Sequence, residues 1–323
     1  MTNNQADYAN LLQLAKQVDV KLLGRVAVLM GGIAAEREVS LKSGQAVYDA
    51  LLAKQVNVDL IDVTTIQQLT ALAGKYDGVF NAIHGRWGED GGVQAILDSL
   101  NIPYTGSGQA ASSLAMDKLR TKWLWKGVGI STPDFRYVSP QNPFSVDSFN
   151  MVFPVIVKPV REGSSLGMKK ANNLQELSEA VKFAEKYDSE ILIEQWITGR
   201  EFTCAIVDDV ALPLIELKTE HDFYDFDAKY KTNDTQYLSP VSLNEAVISQ
   251  IKSLSLQGFD VLGASGWGRM DIMLDEKNTP WLIELNTVPG MTDHSLVPMA
   301  AKQVGLSFSE LVVLLLALVS NKK

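Results

Sequence analysis

Hydrophobic and polar positions alternate with two different periods along the first third of the chain. Apolar runs at 25–30, 56–63 and 78–83 each end in glycine or polar residues, and each predicts a strand. Between and after these runs, apolar residues recur at the spacing of a helix face. The clearest helical set is Val93, Ile96, Leu97 and Leu100. Strands that alternate with helices predict a parallel sheet.

The later pattern is more mixed and predicts two further blocks. The predicted elements are a helix over 116–125, a strand over 153–159, a helix over 174–186, a strand over 190–196, a hairpin around Asp208-Asp209, a helix over 245–262, a second hairpin over 267–286 and a buried apolar helix over 311–319. The stretch 218–237 is polar and aromatic without periodicity, which is typical of a functional lid or of disorder.

These patterns predict a division into an extension and three domains. The predicted divisions are an N-terminal extension over 1–20, an α/β domain over 21–116, a central domain over 117–202 and a C-terminal domain over 203–323 that contains the stretch 218–237. In the extension, apolar residues at helical spacing predict a short amphipathic helix packed on the body. They are Tyr8, Leu11, Leu12, Ala15 and Val18.

Composition and charge exclude several classes of protein. The chain has 323 residues, of which 46% are hydrophobic and 21% charged, and these values are those of a globular protein rather than a disordered one. A formal net charge of −9 argues against a general nucleic-acid binder, although local cations can still hold a small anion. The single cysteine, Cys204, indicates a reducing compartment. We therefore expect a cytoplasmic protein with no nucleic-acid or membrane partner, because the apolar run at 311–319 is also too short to span.

The strongest chemical pattern is the second hairpin. Arg269 and Asp271 lie two residues apart on one predicted strand, and Glu284 and Asn286 lie two apart on the next. Side chains two apart on a strand share a face. If 277–278 is a two-residue loop, Asp271 falls opposite Glu284 and Arg269 falls opposite Asn286.

Two carboxylates and an amide on one face are oxygen ligands of the kind that Mg²⁺ prefers. The alternative is an exposed hairpin whose charges are solvated. Against it, opposed Asp and Glu repel each other without a cation, and apolar neighbours imply that the other face is core. These neighbours are Met270, Ile272, Ile283 and Leu285.

Weaker patterns lie in three loops. Lys158 precedes the loop 161–167, whose backbone N–H groups could cradle phosphate oxygens. The chain lacks both the P-loop and the dinucleotide-binding glycine motifs. Glu36 and His84 follow predicted parallel strands, where open sheets bind ligands. Glu36 could instead complement a helix dipole, and His84 could be a satisfied strand-end histidine.

Taken in order, the motifs resemble the D-alanine–D-alanine ligase family of the ATP-grasp superfamily over about residues 22–318. The matching stretches are Gly31-Gly32 with Ala35-Glu36-Arg37-Glu38-Val39-Ser40, His84-Gly85-Arg86 with Gly88-Glu89-Asp90-Gly91, Pro103 to Gly108, Met116-Asp117-Lys118, Val157-Lys158-Pro159 with Arg161 to Ser165, Phe223-Tyr224-Asp225 with Ala228-Lys229-Tyr230, Gly266 to Arg269 with Asp271, Glu284 with Asn286-Thr287, and Pro289 to Thr292 with His294 to Pro298.

The resemblance implies an α/β three-domain ATP-grasp fold. In such a fold an N-terminal Rossmann-like parallel sheet precedes central and C-terminal α+β domains, and these two sandwich ATP. It also implies peptidoglycan-precursor synthesis with two Mg²⁺ ions, or Mn²⁺ in their place, and a homodimer. The implied ATP contacts are Lys118, Lys158, Glu194, Trp196, Ile197, Glu201 and Lys229, and the implied metal ligands are Asp271, Glu284 and Asn286.

The resemblance further implies ligation of two D-alanines through an acyl phosphate. Glu36 and His84 would bind the first D-alanine, and Ser295 with the Leu296 N–H would bind the carboxylate of the second. The remaining implied roles are oxyanion stabilisation by Arg269 and the Gly290 N–H, and a lid latch of Ser164 and Tyr230 on Glu36.

Three departures and two rival functions accompany the resemblance. Ile33 and Ala34 stand where the family often has hydroxyl residues, and Trp87 replaces a residue that is often small, which we interpret as a change at the pocket edge. Tyr230 matches members that form a dipeptide rather than an ester. The first rival is another ATP-grasp ligase that joins a different carboxylate and amine, or a depsipeptide ligase. The second is a nucleotide-binding regulatory protein without turnover.

Overall fold

The computed structural model describes residues 3–219, 235–292 and 294–320, and its first sheet is parallel. Strand β1 (Arg25–Gly31) lies between β2 (Asn57–Val63) and β3 (Gly78–Asn81). The helices of this region are α2 (Arg37–Ala53), α3 (Ile66–Thr70), α4 (Gly92–Ser99) and α5 (Gln109–Met116). The predicted alternation of strand and helix is confirmed, and the loops after β1 and β3 leave the same edge of the sheet.

The second sheet is antiparallel with the strand order β4–β7–β5–β6. Its strands are β4 (Phe135–Val138), β5 (Val155–Pro159), β6 (Lys169–Ala171) and β7 (Ile191–Gln195), and α7 (Leu174–Ala184) covers one face. Val155 and Val157 pack under this helix. Because successive side chains point to opposite faces, Ile156 and Lys158 face the other way, toward a cleft.

The third sheet closes that cleft from the other side. Its described strands follow the order β11–β10–β8–β12–β13, and β9 pairs with the end of β8. They are β8 (Gly199–Val207), β9 (Val210–Ala211), β10 (Ile215–Lys218), β11 (Gln236–Leu238), β12 (Trp267–Asp275) and β13 (Pro280–Asn286), and α8 (Glu245–Val261) packs behind them. The domain boundary predicted at 202 falls inside β8, which pairs with β12 of the third sheet along its whole length.

The predicted lid begins and ends in a β-ladder. Lys218 on β10 pairs with Gln236 on β11, and Glu216 pairs with Leu238. Residues 220–234, which include Lys229 and Tyr230, lie outside the described residues.

The last two helices return to the first sheet. Helices α9 (Leu296–Gln303) and α10 (Phe308–Ser320) share a core with β1 and α2, and residues of β8, β10 and β12 lie in the same core. The predicted buried apolar helix is confirmed, with residues from Leu311 to Leu316 in this core. No single helix in the described ranges is long and apolar enough to cross a membrane, and α9 with α10 meets that test only as a pair bent by 102°.

The helix predicted over 116–125 is confirmed as α6 (Lys118–Gly127), with both ends shifted by two residues. A separate helix, α5, ends at Met116, and only Asp117 lies between the two. Asp117 between them is extended, and its carboxylate accepts a hydrogen bond from the N–H of Arg120. This break turns the chain so that Lys118 lies at the first position of α6.

The hairpin of β12 and β13 has the predicted pairs but a different turn. Asp271 pairs with Glu284 and Arg269 with Asn286, as predicted. The two-residue loop at 277–278 is wrong, because Asp275 already bonds to Thr279 and leaves a three-residue loop in which Asn278 is left-handed. A bulge beyond Asp271 shifts the register by one residue and restores the pairing.

The core position predicted for Ile283 is wrong because of this bulge. Ile272 pairs with Leu282 whereas Asp271 pairs with Glu284, so Ile283 has no partner of its own in the ladder. As a result Ile283 and Glu284 both line the cleft instead of alternating across the sheet.

The extension forms α1 (Asn3–Gln17), and the predicted amphipathic helix is confirmed. Leu11 and Ala15 are buried, and Tyr8, Leu12 and Val18 pack on the same core. The Tyr8 hydroxyl donates to the carbonyl of Ala211 and accepts from the ammonium of buried Lys252. The extension is therefore tied to the third sheet and α8 by a buried cation.

Tyr8→Phe is expected to destabilise the protein by about 1–3 kcal/mol, because it removes a hydrogen-bond partner of a buried ammonium group. Turnover should not change, since Tyr8 lines neither of the cavities described below. Urea unfolding followed by tryptophan fluorescence measures the loss. Tyr48→Phe, at a half-buried tyrosine of the same core, is the matched control, and an equal loss in both variants would contradict this assignment.

Candidate active site

Two adjoining cavities occupy the junction of the three sheets. The cleft cavity, about 630 Å³, lies between the second and third sheets, and the loop cavity, about 760 Å³, lies under the loops of the first sheet. Glu284 lines both of them. Both volumes are in the range of small-molecule sites.

The structure places the predicted site residues that it describes in these two cavities. The cleft cavity is lined by Lys158, Glu194, Trp196, Ile197, Glu201, Asp271 and Glu284. The loop cavity is lined by Glu36, His84, Lys118, Ser164, Arg269, Glu284, Asn286, Gly290, Ser295 and Leu296. Lys118 thus lies with the second group rather than with the other implied ATP contacts.

The inner wall of the cleft cavity carries a buried ion cluster. Lys158 Nζ lies 2.8 Å from Glu194 Oε1, and Lys122 Nζ lies 2.6 Å from Glu194 Oε2. Burial alone would raise the pKa of Glu194, but the two ammonium groups outweigh it and hold that pKa below its usual value. Burial lowers the pKa of Lys122 to about 8.

Lys122 is a residue that the sequence reasoning missed. It lies one turn after Lys118 on α6 and is completely buried. A detectable pattern was present, because Lys118, Lys122 and Trp125 recur at i, i+4 and i+7, which is the spacing of a buried helix face.

The outer wall of the cleft cavity is mixed in character. Glu201 lies on β8 and Trp196 follows β7, where Lys170 Nζ stands 4.3 Å from the centre of the Trp196 ring. Apolar side chains complete the lining, namely Ile156, Met168, Leu217, Met273 and Ile283. An apolar slot with charged groups at one end suits a flat aromatic group that carries an anion.

The hairpin gathers charge at the boundary of the cavities. The Arg269 guanidinium donates to both oxygens of Asp271, at 2.7 and 2.8 Å, and Asn286 Nδ2 donates to Asp271 Oδ2 at 3.0 Å. Lys118 Nζ lies 3.4 Å from Glu284 Oε2 and donates to the Glu162 carbonyl at 2.6 Å. Cations on both sides thus offset two carboxylates on paired strands.

In the described part of the chain, no three His, Cys, Asp or Glu side chains cluster as a metal site. The hairpin instead provides two carboxylates, Asp271 and Glu284, and the amide oxygen of Asn286. Mg²⁺ commonly takes one or two protein carboxylates and completes its shell with water and substrate phosphates. This donor set at a cavity junction therefore fits Mg²⁺ that is shared with a phosphorylated ligand.

Glu36 is the buried acid of the loop cavity. It precedes α2, is only 6% exposed, and accepts a hydrogen bond from Ser164, as the resemblance implied. Burial and the nearby Glu89 raise its pKa, which the Ser164 bond partly offsets. Gly85 and Gly163 enclose the carboxylate so closely that a Cβ on either would collide with it.

The loop that carries Ser164 is held in an uncommon conformation. Ser164 and Ser165 have φ angles of 50° and 58°, in the left-handed region that costs non-glycine residues about 1–3 kcal/mol each. Arg86 bonds to the Glu162 carboxylate at 3.0 Å and ties this loop to the loop after β3. The left-handed backbone and the Arg86–Glu162 ion pair together hold this loop where Ser164 bonds to Glu36.

His84 connects two loops through both ring nitrogens. Nδ1 donates to the Val288 carbonyl at 2.8 Å, and Nε2 accepts from the Ser43 hydroxyl at 3.0 Å. Ser43 Oγ also accepts from the Met291 N–H at 3.1 Å. Because both nitrogens are bonded within the protein, His84 aligns the 288–291 loop and would contact a substrate only by breaking one of these bonds.

The far end of the loop cavity is the start of α9. Ser295 precedes the helix, and its hydroxyl bonds to the N–H and hydroxyl of Thr292, both at 2.9 Å. A Cβ on Gly290 would come within 2.9 Å of that hydroxyl, so the two residues are close neighbours. Free N–H groups at a helix start favour an anion such as a carboxylate.

The change at the pocket edge predicted for Trp87 is wrong. Trp87 packs on the core of the first sheet and lines neither cavity, and its ring lies against Gly92, where a Cβ would fall 2.6 Å from it. Ile33 is 67% exposed and also lines neither cavity. Neither departure changes the described walls of the site.

Comparisons with known proteins agree with this geometry. The family models for the N-terminus and the C-terminus of D-ala D-ala ligase match residues 63–107 and 124–317. D-alanine–D-alanine ligase from Hydrogenovibrio crunogenus is 65% identical over 299 residues, which cover 93% of this chain and 96% of the relative. The relative from Pseudomonas putida is 52% identical over 305 residues, covering 94% and 96%.

Solved structures give the same result. The crystal structure of D-alanine–D-alanine ligase from Bacillus anthracis superposes with a TM-score of 0.83 and 32% identity, covering 92% of this chain and 98% of that one. The ATP complex from that organism has the same TM-score, at 30% identity and with the same coverage. The fold is therefore that of the ATP-grasp ligases. With relatives above half identity along nearly its whole length, this chain belongs to the D-alanine–D-alanine ligase family.

Proposed function

We propose that the chain joins two D-alanines into D-alanyl-D-alanine for peptidoglycan-precursor synthesis, with conversion of ATP to ADP and phosphate. The observation that carries this proposal is the junction at Glu284, where a nucleotide-sized cleft meets a cavity with a buried acid at one end and a helix start at the other. Such a junction brings a phosphate into contact with a bound amino acid.

ATP lies in the cleft cavity in this proposal. Lys158, and Lys118 from across the junction, hold phosphate oxygens, and Lys229 reaches the γ-phosphate. The adenosine contacts are Glu194, Trp196, Ile197 and Glu201. Asp271, Glu284 and Asn286 would hold two Mg²⁺ ions, for which Mn²⁺ could substitute, and bound metal would supply positive charge beside the transferred phosphoryl group.

The first step needs the carboxylate of one D-alanine beside the γ-phosphate. Glu36 binds its ammonium group, with His84 aligning the loop around it. A carboxylate oxygen attacks the γ-phosphorus, the bond to the β-phosphate oxygen breaks, and an acyl phosphate and ADP result. Catalysis here rests on position and charge, which Lys118 and Lys158 supply.

The second step needs a neutral amine from the other D-alanine. Ser295 and the Leu296 N–H hold its carboxylate at the start of α9. The amine attacks the acyl carbon and a tetrahedral oxyanion forms. The nitrogen then loses one proton, the bond to the phosphate oxygen breaks, and the phosphate leaves with that proton as the amide carbonyl is restored. The Arg269 guanidinium and the Gly290 N–H stabilise the oxyanion, and losing one such donor typically lowers the rate by about 10²–10³-fold.

Location and assembly follow from the reaction and from the family. The ATP requirement and the lone buried Cys204 support a cytoplasmic enzyme with small-molecule substrates. A homodimer is the assembly that we propose from family resemblance.

The test is the product that the purified chain forms from ATP, Mg²⁺ and D-alanine, identified by mass. D-alanyl-D-alanine with one phosphate released per dipeptide supports the proposal. Phosphate release only with D-lactate or L-alanine as acceptor would favour the rival acceptors, and nucleotide binding without any release would favour the regulatory protein.

Tyr230→Phe is expected to raise the share of ester product when D-alanine and D-lactate compete. In the proposed closed state the Tyr230 hydroxyl bonds to Ser164, and its loss removes about 0.5–1.5 kcal/mol of hydrogen bonding from that state alone. The effect should be larger at low pH, where the competing amine is charged. The ester-to-amide ratio at two pH values measures it, and an unchanged ratio in both Tyr230→Phe and Ser164→Ala would refute the latch.

A further inference from the structure

Lys122 is a buried cation that the proposed mechanism does not use. Its side chain is 1% exposed, and it lines neither the cleft cavity nor the loop cavity. Its ammonium group contacts Glu194 Oε2 at 2.6 Å and donates to the Thr132 hydroxyl at 2.7 Å. A fully buried lysine is rare, and this one reaches the wall of the cleft cavity through Glu194.

Glu194 is shared between two lysines of different exposure to the cleft. Lys158 meets one carboxylate oxygen and lines the cleft cavity, whereas Lys122 meets the other oxygen from behind. The three groups carry a net charge of +1. A phosphate in the cleft would compete with Glu194 for Lys158, and a carboxylate that loses its partner in a buried site is strongly destabilised.

We propose that Lys122 is a positioning residue, a resident counter-ion that keeps Glu194 paired when nucleotide phosphate draws Lys158 away. This inference rests on the proposed function only in assigning Lys158 to phosphate. Without Lys122, Glu194 would hold Lys158 as its single cationic partner in the cluster, and nucleotide would have to break a neutral buried pair.

A second contact extends the role of Lys122 to the hairpin. The Thr132 hydroxyl that accepts from Lys122 donates to the Leu282 carbonyl at 2.8 Å, and the Leu282 N–H donates to the Ser131 carbonyl at 2.9 Å. Leu282 directly precedes the bulge that turns Ile283 and Glu284 into the cleft. Lys122 therefore braces both the nucleotide wall and the strand that carries Glu284.

The experiment measures MgADP affinity by calorimetry in the absence of D-alanine, together with kcat and the separate KM values. Lys122→Met should weaken MgADP binding by about 10–100-fold and raise the KM for ATP similarly. The KM for D-alanine should change little. Lys126→Met is the matched control, since it removes an exposed lysine on the same helix that pairs with exposed Asp134.

A double variant separates positioning from general structural damage. Because Glu194 is itself a proposed adenosine contact, the effect of Lys122→Met on MgADP affinity is compared in the wild type and in Glu194→Gln. The loss of affinity should be much smaller in Glu194→Gln, where no buried carboxylate is left to hold Lys158, and an equal loss in both backgrounds would show that the counter-ion role is wrong.

The pH dependence of the wild-type protein gives a test that needs no variant to fold. Lys122 is faced by Glu194, Lys158 and Glu284, and burial lowers its pKa to about 8. MgADP affinity should therefore fall as pH rises through that range, because binding favours the protonated lysine. An affinity that rises over the same pH range would overturn the inference, because a counter-ion that loses its proton cannot strengthen the binding of an anion.

The reference variant is Lys158→Met. If it leaves MgADP affinity unchanged, the phosphate site of the proposed function is wrong. If it weakens binding while Lys122→Met behaves like Lys126→Met, the proposed function stands and the counter-ion role alone fails.

Discussion

Glu284→Gln is expected to lower turnover by about 10³-fold while leaving the melting temperature within about 2–3 °C of the wild type. Glu284 is the residue that both cavities share, and its carboxylate lies opposite Asp271 and 3.4 Å from Lys118 Nζ. Glutamine keeps the shape of the side chain and removes the negative charge that would bridge two cations.

The effect on stability is small because two electrostatic changes oppose each other. Removing the charge relieves repulsion between Glu284 and Asp271, which stabilises the hairpin. It also weakens the partly exposed ion pair with Lys118, which still donates to the Glu162 carbonyl. Turnover has no such compensation, because the phosphoryl group being transferred would lose part of its cationic environment.

The measurement is steady-state ADP release at increasing Mg²⁺, combined with calorimetric melting. Glu284→Gln should also shift the half-saturating Mg²⁺ concentration upward. Glu276→Gln makes the same chemical change at an exposed position of the same hairpin turn and should behave like the wild type. Turnover of Glu284→Gln within about threefold of that control would exclude a metal-bridging role.

The hairpin shows how far a periodic pattern can predict a site. Alternation placed Arg269 with Asp271, and Glu284 with Asn286, because a strand has a side-chain period of two. The pairing across strands was right only because two errors of one residue cancelled. A three-residue loop moved the register one way, and the bulge moved it back. Local propensities do not mark a bulge that lacks glycine, so Ile283 was assigned to the core.

Tertiary burial of charge was the feature that sequence reasoning could not supply. The spacing of Lys122 from Lys118 and Trp125 indicates a buried helix face, but the sequence does not show that Glu194, 72 residues later, is the partner of its charge. The same holds for Lys252, which becomes internal only when Tyr8 of the extension packs against it. Motif resemblance located the cavity walls, whereas these supporting residues lie behind the walls and carry no motif.

The packing of α10 shows a similar limit. Its apolar run predicts a buried helix but not the surface that buries it. In the fold this helix fills the core beside β1 and α2, which belong to the opposite end of the chain. Domain boundaries that are drawn on sequence blocks therefore separate residues that share one core.

Glu36→Gln is expected to raise the KM for the first D-alanine by roughly 30-fold to several thousand-fold, the range found when a buried charged pair loses one partner, about 2–5 kcal/mol. The carboxylate is enclosed by Gly85 and Gly163 and bonded by Ser164, so little water can replace it as a partner for an ammonium group. Asp49→Asn, at an exposed position on α2, the helix that follows Glu36, is the matched control.

The pH dependence of kcat/KM in the wild type should report the ionisation of Glu36. Burial and Glu89 raise the pKa of Glu36 above its ordinary value, and only the ionised form binds the ammonium group. The kcat/KM for the first D-alanine should therefore fall as pH decreases through that raised pKa. This limb should be absent from the residual activity of Glu36→Gln and present in Asp49→Asn.

Glu36→Gln should lower activity without lowering the stability of the folded protein. Because the folded-state pKa of Glu36 is raised, the folded protein binds the proton more tightly than the unfolded chain, and the ionised side chain costs stability at neutral pH. Glutamine removes that cost and can still accept the Ser164 hydrogen bond, so the melting temperature at pH 7 should be equal or higher. The advantage should shrink as pH falls and the wild-type carboxyl becomes protonated. A variant that melts lower at pH 7 and binds D-alanine as the wild type does would mean that Glu36 holds the loop in place and binds no substrate.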